Sequence, residues 1–304
     1  MKNRKKILVT GYTGVSSIVA SALNNDGRFA VSVLFTGDET TELKKLEMNG
    51  ILSRQLTAWE TNLLADAMRG YDAVFGTTTD RAYHKNEFEY GKKLIDAVKI
   101  ADVNHFVFES RPAYHAISNS VFSVPNFDTK ALLEHYCRTI GINATFIHPS
   151  FYFEHFFDDK FLRIDKTGKL YFGFPQGKTS LAMCSIKDIG QVVTMIFRFP
   201  EQYVGRVVGI VGDERSCTEY ASIFSEILKV NVEYRNMSNT EYILNGGSAE
   251  WADMFDVQRI FIKSRSRELI ESYGLNPAMT SFRRWVKRNR NQLRELIESG
   301  EFRQ

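Results

Sequence analysis

The segment Lys6-Ile7-Leu8-Val9-Thr10-Gly11-Tyr12-Thr13-Gly14-Val15-Ser16-Ser17 sets out a strand, a glycine turn and the start of a helix. Ile7, Leu8 and Val9 form a short apolar run of the kind found in strands covered on both faces. Gly11 permits a tight turn, and Gly14 lets backbone N–H groups approach a pyrophosphate at the helix N-terminus. Ser17 fills a third slot that requires only a small side chain for helix–strand packing. A glycine motif of this kind gains meaning between the first strand and first helix of a βαβ unit, so the remaining chain must supply that context.

Apolar runs at 30–35, 51–56, 73–75, 105–108, 144–147 and 207–211 read as further strands. Helical periodicity occupies 16–23, 40–48, 88–100, 131–140 and 186–199. Strands alternating with helices at this spacing predict βαβ units and a parallel sheet. Right-handed crossovers then make a doubly wound α/β sheet the economical topology. The expected division is a dinucleotide-binding domain over 1–150, with return segments near 182–212, and a smaller mixed α/β C-terminal lobe over 151–304. Beyond Pro149 the chain is dense in aromatics, from Phe151 to Phe157 and again from Tyr171 to Phe174. Such clusters pack cores or line a pocket at the carboxyl edge of the sheet. Near the end, Phe282, Trp285, Val286, Asn289, Leu293 and Leu296 fall on one stripe, predicting a single amphipathic helix with a solvated basic face.

Composition bounds the function. Of 304 residues, 43% are hydrophobic and 25% charged, which excludes a disordered chain. No apolar stretch approaches the roughly 20 residues of a spanning helix. The basic start is followed by only Ile7, Leu8 and Val9, too short for a secretory core, so the expected location is the cytoplasm. Cys137, Cys184 and Cys217 stand far apart and form neither a disulfide framework nor a zinc cluster. His84, His105, His115, His135, His148 and His155 show no metal-binding spacing, so no metal is expected. Net charge is +3; residues 259–304 hold an excess of six positive charges, read as a solvated helix face rather than a nucleic-acid surface.

Asn126-Phe127-Asp128-Thr129-Lys130 with Glu134 resembles the FDxK…E helix of the NmrA-like family of atypical short-chain dehydrogenases/reductases. Thr145 to His155 is similar to that family's T-x-x-R-P-x-x-F-x-E-N segment, and Ile186-Lys187-Asp188-Ile189-Gly190 to its V-x-D-I/L-G. Leu275 to Trp285 resembles its closing L-x-P-x-x-x-T-x-x-x-W. The resemblance implies a Rossmann domain that binds NAD or NADP. It implies cofactor contacts from Gly11, Tyr12, Thr13, Gly14, Val15 and Ser16, and from Thr36, Thr57, Thr77, Lys130 and Pro149.

The chain also departs from the pattern. Enzymatic short-chain dehydrogenases place a tyrosine four residues before the lysine as the proton donor. Here Asn126 stands four residues before Lys130, and a carboxamide transfers no proton near neutral pH. Ser110 matches the family's serine, while Tyr114 and His155 are the substitute donors that the sequence offers. The threonine–arginine pair that meets a 2′-phosphate aligns with Phe35-Thr36, Thr57 replaces the adenine-side aspartate, and Asp38 has the approximate spacing of a ribose-binding acid. The leading expectation is a redox sensor or regulatory dinucleotide-binding protein. An NAD(P)H-dependent oxidoreductase of quinones or similar acceptors is the alternative, and a cofactor-free interaction protein on a Rossmann scaffold the third. Its expected partners are a dinucleotide, with a small aromatic or quinone ligand or a protein, and neither nucleic acid nor membrane.

Overall fold

The computed structural model describes residues 4–38, 40–78, 86–158 and 161–299. The chain begins with β1 (Lys5–Thr10), α1 (Gly14–Asp26), β2 (Phe29–Thr36), α2 (Thr41–Met48), β3 (Leu52–Leu56), α3 (Thr61–Met68) and β4 (Ala73–Gly76). It continues with α4 (Glu87–Ile100), β5 (His105–Glu109), α5 (Tyr114–Ile117), α6 (Pro125–Thr139) and β6 (Ala144–Pro149). Next come β7 (Phe151–Tyr152), β8 (Leu162–Ile164), β9 (Leu170–Phe174), β10 (Leu181–Cys184), α7 (Ile186–Arg198), α8 (Pro200–Tyr203) and β11 (Val207–Ile210). The last elements are β12 (Asp213–Arg215), α9 (Cys217–Leu228), β13 (Val232–Asn236), α10 (Asn239–Leu244) and α11 (Ala249–Val257). They are followed by α12 (Ser266–Leu275), α13 (Phe282–Arg288) and α14 (Arg290–Ser299).

Two compact units emerge. The first comprises Met1–Pro112, Thr129–Pro149 and Lys187–Gly209; the second comprises Ala113–Asp128, Ser150–Ile186 and Ile210–Gln304. A seven-stranded sheet in the order β11-β6-β5-β4-β1-β2-β3 organises the first unit. Its pairs from β3 through to β6 run parallel. The strand order reverses between β1 and β4, the switch point where open α/β sheets bind ligands at their carboxyl ends. Leu8, Val74, Phe106 and Phe108 carry one buried face of this sheet. Gly190 explains its place in the motif: a Cβ there would lie 2.7 Å from the Ala22 Cβ and 2.8 Å from the Ile18 carbonyl oxygen. Only glycine lets α7 and α1 approach so closely.

The second unit carries two three-stranded sheets, ordered β12-β10-β7 and β13-β9-β8. Its core is aromatic. Phe156 meets Phe224 at 5.0 Å between ring centroids, and Phe224 meets Phe282 at 4.9 Å. Phe153 and Phe156 are fully buried, so the first aromatic run divides into core rings and half-buried Phe151, Tyr152 and Phe157. Glu154 is a strut: it accepts hydrogen bonds from Ser185 Oγ, the Ile186 backbone N–H and Trp285 Nε1.

Three local expectations are corrected. Arg111-Pro112-Ala113-Tyr114-His115 reads in sequence as a loop after the fifth strand, but Tyr114–Ile117 forms a short helix. Thr61–Met68 adds a helix that the sequence reading lacked, burying Leu64, Ala65, Ala67 and Met68. The single C-terminal helix is two, broken at Asn289, whose backbone N–H and side-chain amide both bond the Trp285 carbonyl. Asparagine competes with the helix ladder in this way and favours ends over interiors.

His105 is buried in β5, and its Nε2 lies 2.8 Å from Thr145 Oγ1. The Thr145 hydroxyl spends its only proton on the Tyr203 carbonyl, so His105 Nε2–H is the donor and Nδ1 carries the lone pair. Nδ1 has no hydrogen-bond partner. Burial, together with the Lys5 charge, pushes this imidazole down to about 4. Unfolded protein then takes up a proton near pH 6.5 that native protein refuses until about pH 4. His105 therefore contributes stability that is full above pH 6.5 and falls by about 3 kcal/mol towards pH 4. Thermal denaturation across this window should show that slope, and His105→Phe should flatten it.

Candidate functional site

The chain leaves β1 through Gly11 and enters α1 at Gly14, both in the left-handed region with φ of +80° and +52°. Two bonds close the turn: Gly11 N–H to the Leu34 carbonyl at 2.7 Å, and Ser16 Oγ to the Thr10 carbonyl at 2.7 Å. Thr13, at the N-cap of α1, makes no side-chain cap, and the first turn holds no acidic residue. That end of the helix therefore presents backbone dipoles without a built-in anion.

The turn forms one wall of an open groove with about 540 Å³ of empty space. Its lining includes Gly11, Tyr12, Thr13, Gly14, Val15 and Ser16 from the turn, and Thr36 and Thr77 from the ends of β2 and β4. Thr10, Leu34, Phe35 and Trp59 complete it, and of these Trp59 was wholly missed in the sequence. Tyr12 packs edge-on against Phe35 at 5.4 Å, and its hydroxyl reaches the Asp38 carbonyl at 3.4 Å. Trp59 Nε1–H donates to the Tyr90 carbonyl at 3.2 Å, which fixes the indole. Among the described residues the lining contains no Lys or Arg. Thr57, Lys130 and Pro149 lie outside the lining.

Beside the groove, the carboxyl ends of the strands bury four charged side chains. Thr77 links the two regions, donating from Oγ1 to Glu109 Oε2 at 2.7 Å. Glu109, wholly buried, pairs through Oε1 with Arg111 at 3.0 Å. Lys130 Nζ lies 2.6 Å from both Glu87 Oε1 and Thr78 Oγ1, and Thr78 donates to the same Glu87 oxygen at 2.5 Å. Burial would raise the Glu109 carboxyl, but Arg111, Lys130 and Thr77 together hold it below its ordinary value. Burial pushes the Lys130 amine down, against the pull of Glu87 and Glu109. Glu87, Glu109, Arg111 and Thr78 were not legible as partners, since they come from separate elements.

The remaining candidates have structural engagements of their own. Ser110 is fully buried, and its hydroxyl bonds the Lys130 carbonyl at 3.2 Å. Asn126 stands in the first turn of α6, one turn before Lys130, and its Nδ2 donates to Glu250 Oε2 at 2.8 Å. Its backbone N–H meets the other Glu250 oxygen at 2.7 Å. Tyr114 and His155 belong to the second unit. Tyr114 is buried, and its hydroxyl accepts a hydrogen bond from Gln258 Nε2. His155 is half-buried among Phe151, Phe161 and Trp251, with ring centroids 4.7, 5.1 and 5.2 Å away. Among the described residues no group of His, Cys, Asp and Glu could hold a metal ion, and His84 lies outside them. No described helix is long and apolar enough to cross a membrane.

A model of the NmrA-like family matches residues 3–271. An NmrA-like family domain-containing protein of Dictyostelium discoideum is 28% identical over 253 residues, covering 78% of this chain and 82% of its own. The solved structure of NmrA, a negative transcriptional regulator, in complex with NAD superposes with a TM-score of 0.79 at 17% identity, covering 99% of this chain and 98% of that one. An NADPH-dependent quinone oxidoreductase from Escherichia coli superposes with a TM-score of 0.73 at 17% identity, over 93% and 98%. At these identities the superpositions establish a shared fold.

The charge network makes a direct prediction. Glu109→Leu would leave Arg111 buried without its carboxylate. Removing one partner of a buried pair costs about 3–5 kcal/mol, so chemical denaturation should show a loss of that size.

Proposed function

This chain belongs to the NmrA-like family, and we propose that it binds a nicotinamide dinucleotide at the β1–α1 turn as a redox sensor or regulatory binding protein without conventional dehydrogenase activity. The glycine turn supports the cofactor assignment. A Cβ on Gly14 would stand in open space, and the uncapped start of α1 offers N–H groups suited to a pyrophosphate. In this reading the turn from Gly11 to Ser16 holds the pyrophosphate, Thr36 and Thr57 face the adenosine side, and Lys130 holds the nicotinamide ribose, with Thr77 and Pro149 completing the contacts. NmrA itself has been solved with NADP and with NAD. The bound dinucleotide would supply hydride chemistry.

Asn126 carries the sensor reading. Its amide is engaged by Glu250 where a dehydrogenase would place a phenol. General acid–base catalysis contributes about 10²–10⁴-fold, so carbonyl reduction should stay near background. Ser110 does not restore the donor, because its hydroxyl is turned to the α6 backbone. The half-buried rings around His155 favour one alternative, an NAD(P)H-dependent oxidoreductase of quinones or small aromatic acceptors, which takes protons from solvent. A substitute donor role for His155 or Tyr114 belongs to that alternative. A protein partner, in the cytoplasm, belongs to the sensor reading and equally to a cofactor-free interaction protein.

Titration with NAD, NADP and their reduced forms tests the assignment. Gly14→Val should fold, at a strain cost of about 1–2 kcal/mol for a left-handed residue, and lose dinucleotide binding. A folded variant that binds like the parent would overturn the site. NADP should have little advantage over NAD, since among the described residues the lining holds no basic one. Thr36→Arg should shift preference towards NADP by about tenfold or more, the worth of one charge-assisted hydrogen bond. Assays of NAD(P)H oxidation with ketones and quinones complete the test: ketone turnover at enzymatic rates would sink the sensor reading, and quinone turnover alone would establish the alternative.

A further inference from the structure

Lys130 is held by a specific arrangement of protons. The Thr78 hydroxyl donates to Glu87 Oε1 and so accepts from Lys130 Nζ. Glu87 Oε1 accepts a second Lys130 proton. An ammonium has three protons, and among the described residues these two partners leave one for a ligand. A neutral amine has two, and would turn its lone pair towards the ligand instead. The charge state of Lys130 thus decides whether that face donates or accepts. Among the described residues, three charged groups face the amine: Glu87 from the first turn of α4, Glu109 at the end of β5, and Arg111 just beyond it. Glu109 already spends its two oxygens on Arg111 and Thr77. Glu87 is the acid in direct contact with Nζ, and the amino end of a helix favours a negative charge there.

We propose that Glu87 is the positioning residue for Lys130, keeping it an ammonium with one proton free for the cofactor ribose. The proposal rests on the assignment of Lys130 to the ribose made above. Arg111 repels the ammonium, and burial disfavours it, so removing Glu87 leaves the amine to deprotonate at a lower pH. Glu87→Gln keeps the shape and an acceptor oxygen while deleting the charge.

NADH binding followed by nicotinamide fluorescence between pH 6 and pH 9 gives the first readout. The parent should keep its affinity within about threefold, while Glu87→Gln should lose about tenfold for each pH unit above the lowered amine pKa. Thermal stability of cofactor-free protein gives the second. With a depressed native amine pKa, Glu87→Gln is most destabilised at neutral pH and recovers as pH rises towards the unfolded value. The double variant Glu87→Gln/Lys130→Met should lose that recovery, which a merely structural role for Glu87 would not predict. A parent that fails to bind NADH would overturn the cofactor reading and the ribose role with it. A binding parent beside a Glu87→Gln protein with the same pH profile would overturn the role of Glu87 alone, as would a stability loss equal at every pH.

Discussion

The reversal of the chain at Gly11 is the constraint on which the groove depends. Its φ of +80° turns the backbone out of β1 within one residue, and the bond from its N–H to Leu34 ties the turn to the neighbouring strand. A side chain at this position would meet Ser16 Oγ at 3.3 Å as well as backbone strain. Ser16 itself closes the turn onto Thr10, so the start of α1 is fixed relative to the carboxyl end of β1. The strand order reverses beside that same end. A single local conformation therefore sets the helix dipole, the groove wall and the sheet's switch point in register.

What lies beside the groove is charged but balanced. Glu87 and Glu109 offset Lys130 and Arg111, all of them buried at the carboxyl ends of the strands or on the helices next to them. The balance follows from the cost of burying an unpaired ion, which is far larger than the worth of any one contact. It also limits the chemistry. Under the proposed reading, a groove whose described lining has no basic residue would attract a phosphate through backbone dipoles rather than net charge.

The parts of this fold that follow local rules were legible in the sequence. Ile7 to Val9, the glycines after them and the alternation of strands with helices predict the sheet that is observed. Thr61–Met68 escaped because it is barely two turns long, too short for its apolar residues, Leu64, Ala65, Ala67 and Met68, to set out a clear period. Asn289 looked continuous with its neighbours because periodicity counts faces and not competing hydrogen bonds. The buried charges were the hardest to read. In sequence Glu87 and Glu109 are ordinary acids 43 and 21 positions from Lys130, and only the packing of α4, β5 and α6 reveals them as its counter-charges. Lys130 and Asn126, by contrast, stood out in sequence because the stretch from Asn126 to Lys130 resembles a family motif, and both lie on α6.

The same pairing bears on how a sensor on this scaffold would tell oxidised from reduced cofactor. Oxidised nicotinamide carries a positive ring charge that the reduced form lacks. An isolated ammonium at the ribose would repel that ring and favour the reduced form by charge alone. Glu87, in contact with Nζ, would offset this bias while leaving a proton to donate. A ligand shifts a conformational equilibrium only by its difference in affinity for the two states. With the charge bias removed, under the proposed reading, discrimination must come from the shape of the nicotinamide ring, planar when oxidised and puckered when reduced. Selectivity would then rest on packing around the ring, and affinity on the glycine turn and Lys130.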